Sequence, residues 1–486
     1  IEDAKDLQQL QESKEDASCL PTLVLEDIPP TVQSVKASAA YDAVPAVCYR
    51  QPTSGIFYFA AVAGCGFLPK PLIPMVPFFC HAFSKMGTSI RDYTAMAQLI
   101  DAYTGGINLA CQSRTGFNDT GGCLPLVAFN AKCLVRNQSK MFEIIEELLY
   151  KFDFSDLVRL KSLLLEYRAG LESRVVQNGH RFAMSLASRN FSPTRALSEI
   201  WHGIHQLQTI KDIMGDLTDD RLQSIAEDLF SIGKMLFTSD NFKIALIGED
   251  QAISAAASAT ASIPENLEAK PEFLDAVHGF MPPKVDLGDE IPREGWSTST
   301  AVSFVARTFA TVRLDHEEAP ALSVISKILR SLYLHREIRE KGGAYGALAL
   351  YNREDGLFCF GSYRDPRIIS TLRVYDDAPA FLKAVNLSDD DIREAILQVC
   401  SEIDAPDSPG AAARKAFSRK IISLADETRQ IFKQRLLKIN RDQVVQTAEK
   451  YFSDVESHAI AVISSEDKLK AANEKLADRP LKLYKI

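Results

Sequence analysis

One order of elements (helix, Gly-Gly, strand, turn, strand, helix) occurs twice in this chain, about 240 residues apart. In the first copy the doublet Gly105-Gly106 ends a helical segment and leads into a strand-like one. The segments of this copy are a helix over 91–103, strands over 107–113 and 123–134, and an amphipathic helix over 139–152. The period is too long for a short-repeat solenoid, so it predicts two copies of one α+β unit.

The second copy follows the same order around the doublet Gly342-Gly343. Before the doublet, apolar residues recur every three or four positions, at Leu322, Ile325, Leu329 and Leu332. This spacing predicts one face of a long α-helix. After the doublet, Asp355-Gly356 is typical of a hairpin turn between two strands. The segments of this copy are a helix over 320–340, strands over 344–351 and 357–363, and a helix over 366–385, and a strand-like segment precedes each copy, at 55–62 and 308–314.

The two copies divide the chain into two α+β domains, which we expect at 40–263 and 297–486. The stretch between them, 264–296, carries five prolines and is predicted to be a linker. The Ala/Ser run over 252–262 is predicted to be a surface helix, and residues 1–18 are predicted to form a polar helix outside the cores. Further helices are predicted over 156–176, 188–215, 219–232, 389–404 and 411–438.

The charge of the chain argues against two classes of partner. Its 64 acidic and 55 basic residues give a net charge of −9, whereas binding to phosphate groups needs concentrated Lys and Arg. We therefore expect no nucleic-acid partner and no binding to a membrane. The apolar stretch over 55–83 contains only one Lys, but glycines and prolines break it into pieces too short to span a bilayer. It is predicted to be a buried strand followed by a buried helix.

The nine cysteines form no C-x-x-C pair, and several lie in apolar runs such as Phe358-Cys359-Phe360. Buried thiols in a reducing compartment are the simplest interpretation. No signal peptide is visible, but the chain begins with Ile1 instead of Met, which indicates a processed chain or a piece of a longer one.

A search for hydrolytic motifs is largely negative. The sequence has no G-x-S-x-G, no glycine-rich phosphate loop and no H-E-x-x-H. His202 and His205 lie three residues apart on a predicted helix, with Glu199 at helical spacing, but the apolar neighbours favour packing over metal binding. His316-Glu317-Glu318 lacks a second histidine and begins a helix, where acidic residues interact favourably with the dipole in any case.

The most informative segment is Arg339-Glu340-Lys341-Gly342-Gly343-Ala344-Tyr345-Gly346. Its residues alone have a purely structural interpretation. Arg339 near a helix C-terminus interacts favourably with the dipole, Gly342 supplies a left-handed cap, and Tyr345 packs on a strand.

A resemblance supports a second interpretation. The string R-x-x-G-G-A-Y-G after a long helix resembles the signature that inverzincin (pitrilysin-family) peptidases carry on the half that lacks the metal. Other segments resemble the presequence proteases of that family, in the order of their C-terminal half, from about residue 5 to residue 450. These segments are 87–93, 99–106, 179–180, 197–201 and 404–409.

The resemblance implies two tandem α+β domains of the pitrilysin metallopeptidase type, which form one bowl of a clamshell. Residues 1–39 are then the remnant of a helical hairpin that joins the two halves of the enzyme. A zinc-bearing N-terminal half, from the same precursor or as a separate subunit, is the implied partner, and unfolded peptides are the implied substrates.

In that family the N-terminal half carries H-x-x-E-H about ten residues before a Gly-Thr or Gly-Ser. Here Gly87-Thr88 marks the equivalent place, and the aligned pentad is Phe78-Phe79-Cys80-His81-Ala82. Catalytic zinc needs three protein ligands and a base that activates water. We therefore expect no metal and no other cofactor in this chain, and zinc in the partner half.

The resemblance also assigns roles to Arg339 and Tyr345, the expected catalytic pair. Arg339 is expected to hold backbone carbonyls of the substrate. The Tyr345 hydroxyl is expected to donate a hydrogen bond to the scissile carbonyl as it becomes an oxyanion. Gly342 and Gly343 complete the substrate-binding segment, because a turn without Cβ atoms lets the strand lift Tyr345 toward the facing half.

Two functions remain open at this point. One is the metal-free half of a zinc metalloendopeptidase that degrades targeting peptides or other unfolded peptides, inactive without the H-x-x-E-H half. The other is a non-catalytic core subunit of a larger complex, like the pitrilysin-family relatives in respiratory complexes. The presence of both Arg339 and Tyr345 favours the first. The expected location is a reducing, soluble compartment, either a bacterial cytoplasm or the matrix of a mitochondrion or plastid.

Overall fold

The computed structural model describes residues 22–38, 46–118, 121–267, 279–283, 285, 290–385, 387–452 and 458–486. The helix predicted over 1–18, together with Cys19, lies outside the described residues. Within them the chain forms two mixed β-sheets flanked by helices. The strands are β1 (Val47–Arg50), β2 (Ile56–Gly64), β3 (Ile107–Thr115), β4 (Cys123–Leu134) and β5 (Phe242–Gly248) in the first sheet, and β6 (Arg293–Ser297), β7 (Phe304–Ala310), β8 (Gly346–Asn352), β9 (Leu357–Tyr363), β10 (His458–Ser464) and β11 (Lys482–Lys485) in the second.

The helices fill the connections between the strands. In the first domain they are α1 (Val76–Phe83), α2 (Tyr93–Tyr103), α3 (Gln138–Lys151), α4 (Leu157–Ser188), α5 (Pro193–His202), α6 (Ile204–Met214), α7 (Asp219–Leu236) and α8 (Asp250–Asn266). In the second they are α9 (Ala319–Ile328), a π-helix (Leu329–Glu340), α10 (Ile368–Ala384), α11 (Asp389–Ile403), α12 (Pro409–Ile421), α13 (Asp426–Leu436), α14 (Arg441–Phe452) and α15 (Glu466–Lys475).

The two sheets have the same topology, which confirms the predicted repeat. The first sheet has the order β1-β5-β2-β4-β3, and the second has β6-β10-β7-β9-β8 with β11 added beside β6. Among the five strands that the two sheets share, the first and the last in chain order form a parallel pair (β1 with β5, β6 with β10), and the other three pairs are antiparallel. The added strand β11 is parallel to β6. The doublets occupy matching places, Gly105-Gly106 before β3 and Gly342-Gly343 before β8. The α+β fold class is thereby confirmed.

Helix α4 of the first domain covers one face of the second sheet. Successive residues of a strand point to opposite faces, and this alternation divides β7 between two cores. Val305 packs with the second domain's own helices, whereas Phe304 and Ala306 belong to the core that contains α4. The contact is close, because a Cβ on Gly179 of α4 would lie 2.3 Å from the Phe304 ring.

The first sheet receives a helix from the second domain in return. Ala413 and Phe417 of α12 pack with Ala60, Ala245 and other small residues on one face of β2, β4 and β5. A Cβ on Gly410, at the start of α12, would lie 2.6 Å from the Tyr58 ring. Each sheet is thus covered by its own helices on one face and by a helix of the other domain on the opposite face.

Within the described residues, three ion pairs accompany this exchange. Each joins an arginine of the first domain to a carboxylate on or beside the strands of the second sheet: Arg114 to Glu354 at 2.8 Å, Arg189 to Glu294 at 2.9 Å, and Arg195 to Asp355 at 2.7 Å. Glu294 and Asp355 are almost completely buried. Removing one member of such a pair leaves the other charge buried without its partner, which is strongly destabilising.

The helix predicted over 320–340 is α-helical only in its first half. From Leu329 to Glu340 it is wound as a π-helix, in which hydrogen bonds span five residues and each turn holds more residues than in an α-helix. The buried face therefore shifts to Tyr333, Leu334 and Ile338. Leu332 is 36% exposed, so its assignment to the apolar face was wrong.

Other predicted boundaries also change. The segments over 188–215 and 411–438 are each divided into shorter helices, and α4 extends to Ser188 with a kink at Asn178. The stretch predicted as a linker, 264–296, begins with the last residues of α8 and ends with most of β6, which is a strand of the second sheet. Residues 268–278, 284 and 286–289 of this stretch lie outside the described residues. The Ala/Ser helix is confirmed as α8, but one side of it is buried, including Ile253 and Ala256.

The apolar stretch over 55–83 forms buried strand β2 and buried helix α1, as predicted. No helix in the described ranges has the length and apolar character needed to cross a membrane. Eight of the nine cysteines lie in these ranges, and all eight are free thiols; seven are buried and Cys359 is half-buried. The buried-thiol prediction is confirmed for these residues. Burial raises the pKa of Cys48 and of Cys133 to about 11, so both remain protonated at neutral pH.

The close contact between α4 and the second sheet predicts opposite effects for two glycines of one helix. Gly179→Ala inserts a methyl group into the Phe304 ring and should lower the free energy of unfolding by about 1–3 kcal/mol. Gly170→Ala meets no atom within 4 Å and should stabilise the chain by about 0.5–1 kcal/mol. Urea titration of both variants provides the measurement, and equal stability of the two would contradict the described packing.

Candidate functional site

The predicted site residues lie where the π-helix turns into the edge strand of the second sheet. Arg339 is in the last turn of the helix, Gly342 and Gly343 form the turn, and Tyr345 immediately precedes β8. β8 ends the strand order of this sheet and pairs with β9 alone within the described ranges. The segment therefore brings an arginine, a tyrosine and a strand edge together at one place.

The helix end requires both glycines, for different reasons. The N–H of Lys341 donates to the Arg336 carbonyl and that of Ala344 to the Ile338 carbonyl, at 3.0 and 3.1 Å. This is a glycine-capped helix end widened by π-winding. Gly343, with φ of +81°, occupies the left-handed position that the sequence had assigned to Gly342. A Cβ on Gly342 would lie 2.3 Å from the Ile338 carbonyl oxygen. Gly342 is therefore needed because the chain passes too close to the end of the helix for a side chain at this position.

Arg339 is exposed and its charge has no carboxylate partner within the described ranges. Its Nη1 lies 3.0 Å from Nε2 of His335, one helical turn earlier. Because guanidinium groups only donate, His335 accepts at Nε2 and carries its proton on Nδ1, which lies 3.3 Å from Glu340. The imidazole therefore orients a guanidinium that keeps its remaining N–H groups for a ligand.

Tyr345 is 67% exposed, more than any other large apolar or aromatic side chain described except Val158. Its backbone N–H donates to the Tyr363 carbonyl at 3.0 Å, and the two rings meet edge to face at 5.6 Å. Within the described ranges its hydroxyl has no hydrogen-bond partner. Tyr363 is itself anchored, because its hydroxyl donates to the Gln177 carbonyl of α4 at 3.2 Å and its ring contacts His180 at 4.8 Å.

The pentad at 78–82 is part of a core helix. Phe78, Phe79 and Ala82 are completely buried in α1. Burial and the neighbouring Lys85 lower the pKa of His81 to about 4, so its ring is neutral at pH 7 and its contact with Glu166 at 3.6 Å is not an ion pair. Instead the Lys85 ammonium lies 3.0 Å from Glu166 and 3.2 Å from His81. A protein cation thus contacts both His81 and Glu166.

Glu199, His202 and His205 do not converge on one point. The Glu199 carboxylate accepts from the backbone N–H of Ile204 at 2.7 Å and lies 3.0 Å from Nδ1 of His205, so it caps the start of α6. His202 points to Cys111, with Nε2 and Sγ 3.8 Å apart. Burial raises the pKa of Cys111, but hydrogen bonds with Cys80 and His202 outweigh burial and lower it to about 6. In the described part of the chain, no three His, Cys, Asp or Glu side chains are grouped to hold a metal.

His316-Glu317-Glu318 is also structural. Glu318 accepts a hydrogen bond from Lys450 at 2.8 Å and another from Tyr451. These contacts tie the start of α9 to α14. Two arginines of α4, which line a cleft together with β8, were not predicted from the sequence. On the sequence alone they resemble ordinary solvated charges of a helix.

Comparison with known proteins supports the fold and the family. Residues 1–213 match a family model described as associated with M16 peptidases of subfamily C, and residues 294–466 match "PreP C-terminal domain". Among curated proteins, "Presequence protease, mitochondrial" of Danio rerio is 31% identical over 93% of this chain and 46% of its own length. The Mus musculus protein of the same name is 29% identical over 97% and 47%. The chain thus spans about half the length of the curated relatives it matches.

Two solved structures show the same fold. "Peptidase M16 inactive domain" from Pseudomonas fluorescens has a TM-score of 0.60 at 16% identity, over 90% of this chain and 98% of its own. "The periplasmic protease PqqL" from Escherichia coli has a TM-score of 0.59 at 14% identity, over 92% and 48%. The family-model matches and the curated relatives show that the chain belongs to the pitrilysin (M16) peptidase family and corresponds to the C-terminal half of a presequence protease-like peptidase.

Proposed function

We propose that this chain is the metal-free half of a zinc metalloendopeptidase that degrades unfolded peptides. The observation that carries the proposal is the placement of two side chains beside the edge strand. Among the described residues, the Arg339 guanidinium has no carboxylate partner and the hydroxyl of the exposed Tyr345 has no hydrogen-bond partner. A zinc-bearing N-terminal half, from the same precursor or as a separate subunit, is the proposed partner, since the chain spans about half the length of its relatives. The proposed domain division is 1–39, 40–263, 264–296 and 297–486.

Tyr345 suits the stabilisation of an oxyanion. Its phenol is a hydrogen-bond donor held by the edge-to-face contact with Tyr363, so little reorganisation is needed when a substrate arrives. A preorganised donor of this kind acts where negative charge develops in the transition state. Zinc in the partner half supplies Lewis acidity and an activated water.

Arg339 suits the binding of peptide carbonyls. Its planar guanidinium presents several N–H donors in a fixed fork, and His335 fixes its direction. Gly342 and Gly343 contribute through the backbone, because they let the helix end and the strand begin within a few residues of Arg339. Arg339 and Tyr345 can then contact one extended substrate at successive positions.

The alternative is a non-catalytic core subunit of a larger complex. Such a subunit needs the core contacts described above, but it needs neither an exposed tyrosine hydroxyl nor an exposed arginine that, like Arg339, has no carboxylate partner among the described residues. The proposed location is a reducing, soluble compartment, either a bacterial cytoplasm or the matrix of a mitochondrion or plastid. The free thiols and the mitochondrial relatives support it.

Tyr345→Phe removes one hydroxyl and keeps the ring that contacts Tyr363. In the enzyme reconstituted with the zinc-bearing half, kcat should fall by about 10²–10³-fold while KM changes little. Tyr93→Phe is the matched control, since Tyr93 is also exposed but lies in the first domain. Steady-state kinetics on a peptide substrate is the measurement, and normal turnover by Tyr345→Phe would refute the catalytic role.

Arg339→Lys keeps the charge and loses the planar fork. We expect KM to rise by about tenfold, because two directed hydrogen bonds become one point charge. Arg336→Lys, three residues earlier on the same helix and paired with Glu337 at 2.9 Å, should leave the kinetics unchanged. Thermal unfolding of both variants separates binding from folding. An equal change in KM for the two would show that charge near the helix end, and not Arg339, matters.

A further inference from the structure

A cleft of about 610 Å³ separates α4 and α5 from the β8–β9 hairpin. Its volume lies in the range of small-ligand and peptide side-chain sites, about 300–1,000 Å³. One wall is formed by Leu350, Tyr351 and Asn352 at the end of β8, and α4 forms the opposite wall. None of the residues assigned to catalysis above lines it.

The cleft carries positive charge that the protein does not neutralise. Arg174 and Arg181 line it from α4, and within the described ranges no carboxylate lies at ion-pair distance from either guanidinium. Arg174 donates from Nε to the Gly170 carbonyl of its own helix at 3.2 Å. The other basic groups in the lining have partners, since Arg195 pairs with Asp355 and His202 faces a thiol. This charge is concentrated in a chain whose net charge is −9.

The rest of the lining is part apolar and part polar, the polar part being formed by serine and asparagine side chains. The apolar part includes Phe182 and Met184 of α4 and Leu350 and Leu357 of the hairpin. A guanidinium group matches the planar carboxylate and can donate two parallel hydrogen bonds to it. A ligand that satisfies both parts of the cleft carries an apolar side chain next to a carboxylate, as the end of a peptide does.

The cleft lies on a path that starts at Tyr345. Leu350 is five residues further along the edge strand, or about 16 Å at the usual rise of a strand. The α4-facing side of β9 connects the cleft with Tyr345. At the cleft, Sγ of Cys359 lies 3.5 Å from Oγ of Ser188, and at the other end the hydroxyl of Tyr363, which packs beside Tyr345, donates to the Gln177 carbonyl. An extended peptide that runs from Tyr345 along β8 therefore reaches the cleft after about five residues.

We propose that this cleft is a subsite for a peptide carboxylate, bound by Arg174 and Arg181 about five residues away from the position served by Tyr345. The identification of the ligand as a peptide rests on the proposed function. The carboxylate belongs either to the C-terminus of the peptide or to an acidic side chain near it.

Direct binding to the full chain tests the subsite without the zinc-bearing half. Fluorescence anisotropy compares two labelled hexapeptides of one sequence with an apolar last residue, one ending in a free carboxylate and the other in an amide. The free acid should bind about tenfold more tightly or better, as expected for charge-assisted hydrogen bonds. Arg181→Gln and Arg174→Gln should each remove most of this difference. Arg168→Gln, on the same helix and paired with Glu172 at 3.1 Å, should retain it.

A second peptide pair distinguishes the two sources of the carboxylate. Both peptides end in an amide, and their last residue is Glu or Gln. Tighter binding of the Glu peptide, lost in Arg181→Gln, assigns the subsite to acidic side chains as well as to C-termini. Equal affinity for all four peptides, or the same loss in Arg168→Gln as in Arg181→Gln, would overturn the proposal.

The peptide-binding test of the subsite can fail or succeed independently of the kinetic test of the proposed function. If free acid and amide bind equally while Tyr345→Phe still abolishes turnover, the subsite is wrong and the peptidase role stands. If the carboxylate preference depends on Arg174 and Arg181 but Tyr345→Phe turns over normally, the subsite stands and the catalytic role of Tyr345 is wrong.

Discussion

The exchange of helices between the two sheets is the constraint on which the rest of the structure depends. Both faces of each sheet are apolar, and each domain provides its own helices for one face only. The second face is buried by α4 in one direction and by α12 in the other. Gly179 against Phe304 and Gly410 against Tyr58 mark the places where no side chain fits between helix and sheet. Neither domain can therefore bury all of its apolar surface alone.

The exchange of helices also determines the position of the candidate site. The ring of Tyr345 packs edge to face against the ring of Tyr363, and Tyr363 in turn contacts Gln177 and His180 of α4, the helix of the other domain. Movement of α4 relative to the second sheet would change both the direction of Tyr345 and the width of the arginine-lined cleft. The same packed surface thus determines the stability of the pair of domains and the geometry that a substrate meets.

Much of the fold could be predicted from the sequence because its signals are local and periodic. The Gly-Gly doublets, the hairpin at Asp355-Gly356 and the strands beside them needed no tertiary information. The π-helix could not be predicted, since Leu329, Leu332 and Tyr333 fit an α-helical face as well, and only packing shows that Leu332 is outside. The arginines of α4 could not be assigned either, because only the topology brings them to β8.

Part of the candidate site could likewise be predicted from the sequence, and part of it could not. The turn at Gly342 and Gly343 was expected, but which of them adopts positive φ depended on the π-winding before it. The absence of an H-x-x-E-H pattern at 78–82 was visible in the sequence, whereas the ammonium of Lys85 beside Glu166 required the structure. The roles of Arg339 and Tyr345 in catalysis stay predictions, although their exposure is what such roles require.

The central claim is that this chain holds half of a catalytic centre and no metal of its own. Zinc content and peptide hydrolysis, measured on the purified chain before and after addition of the half that carries H-x-x-E-H, test it most directly. The account predicts that the chain alone holds no stoichiometric zinc and cleaves nothing, and that chelator-sensitive hydrolysis appears on mixing or fusion. One tightly held zinc per isolated chain, together with chelator-sensitive hydrolysis by that chain, would contradict it.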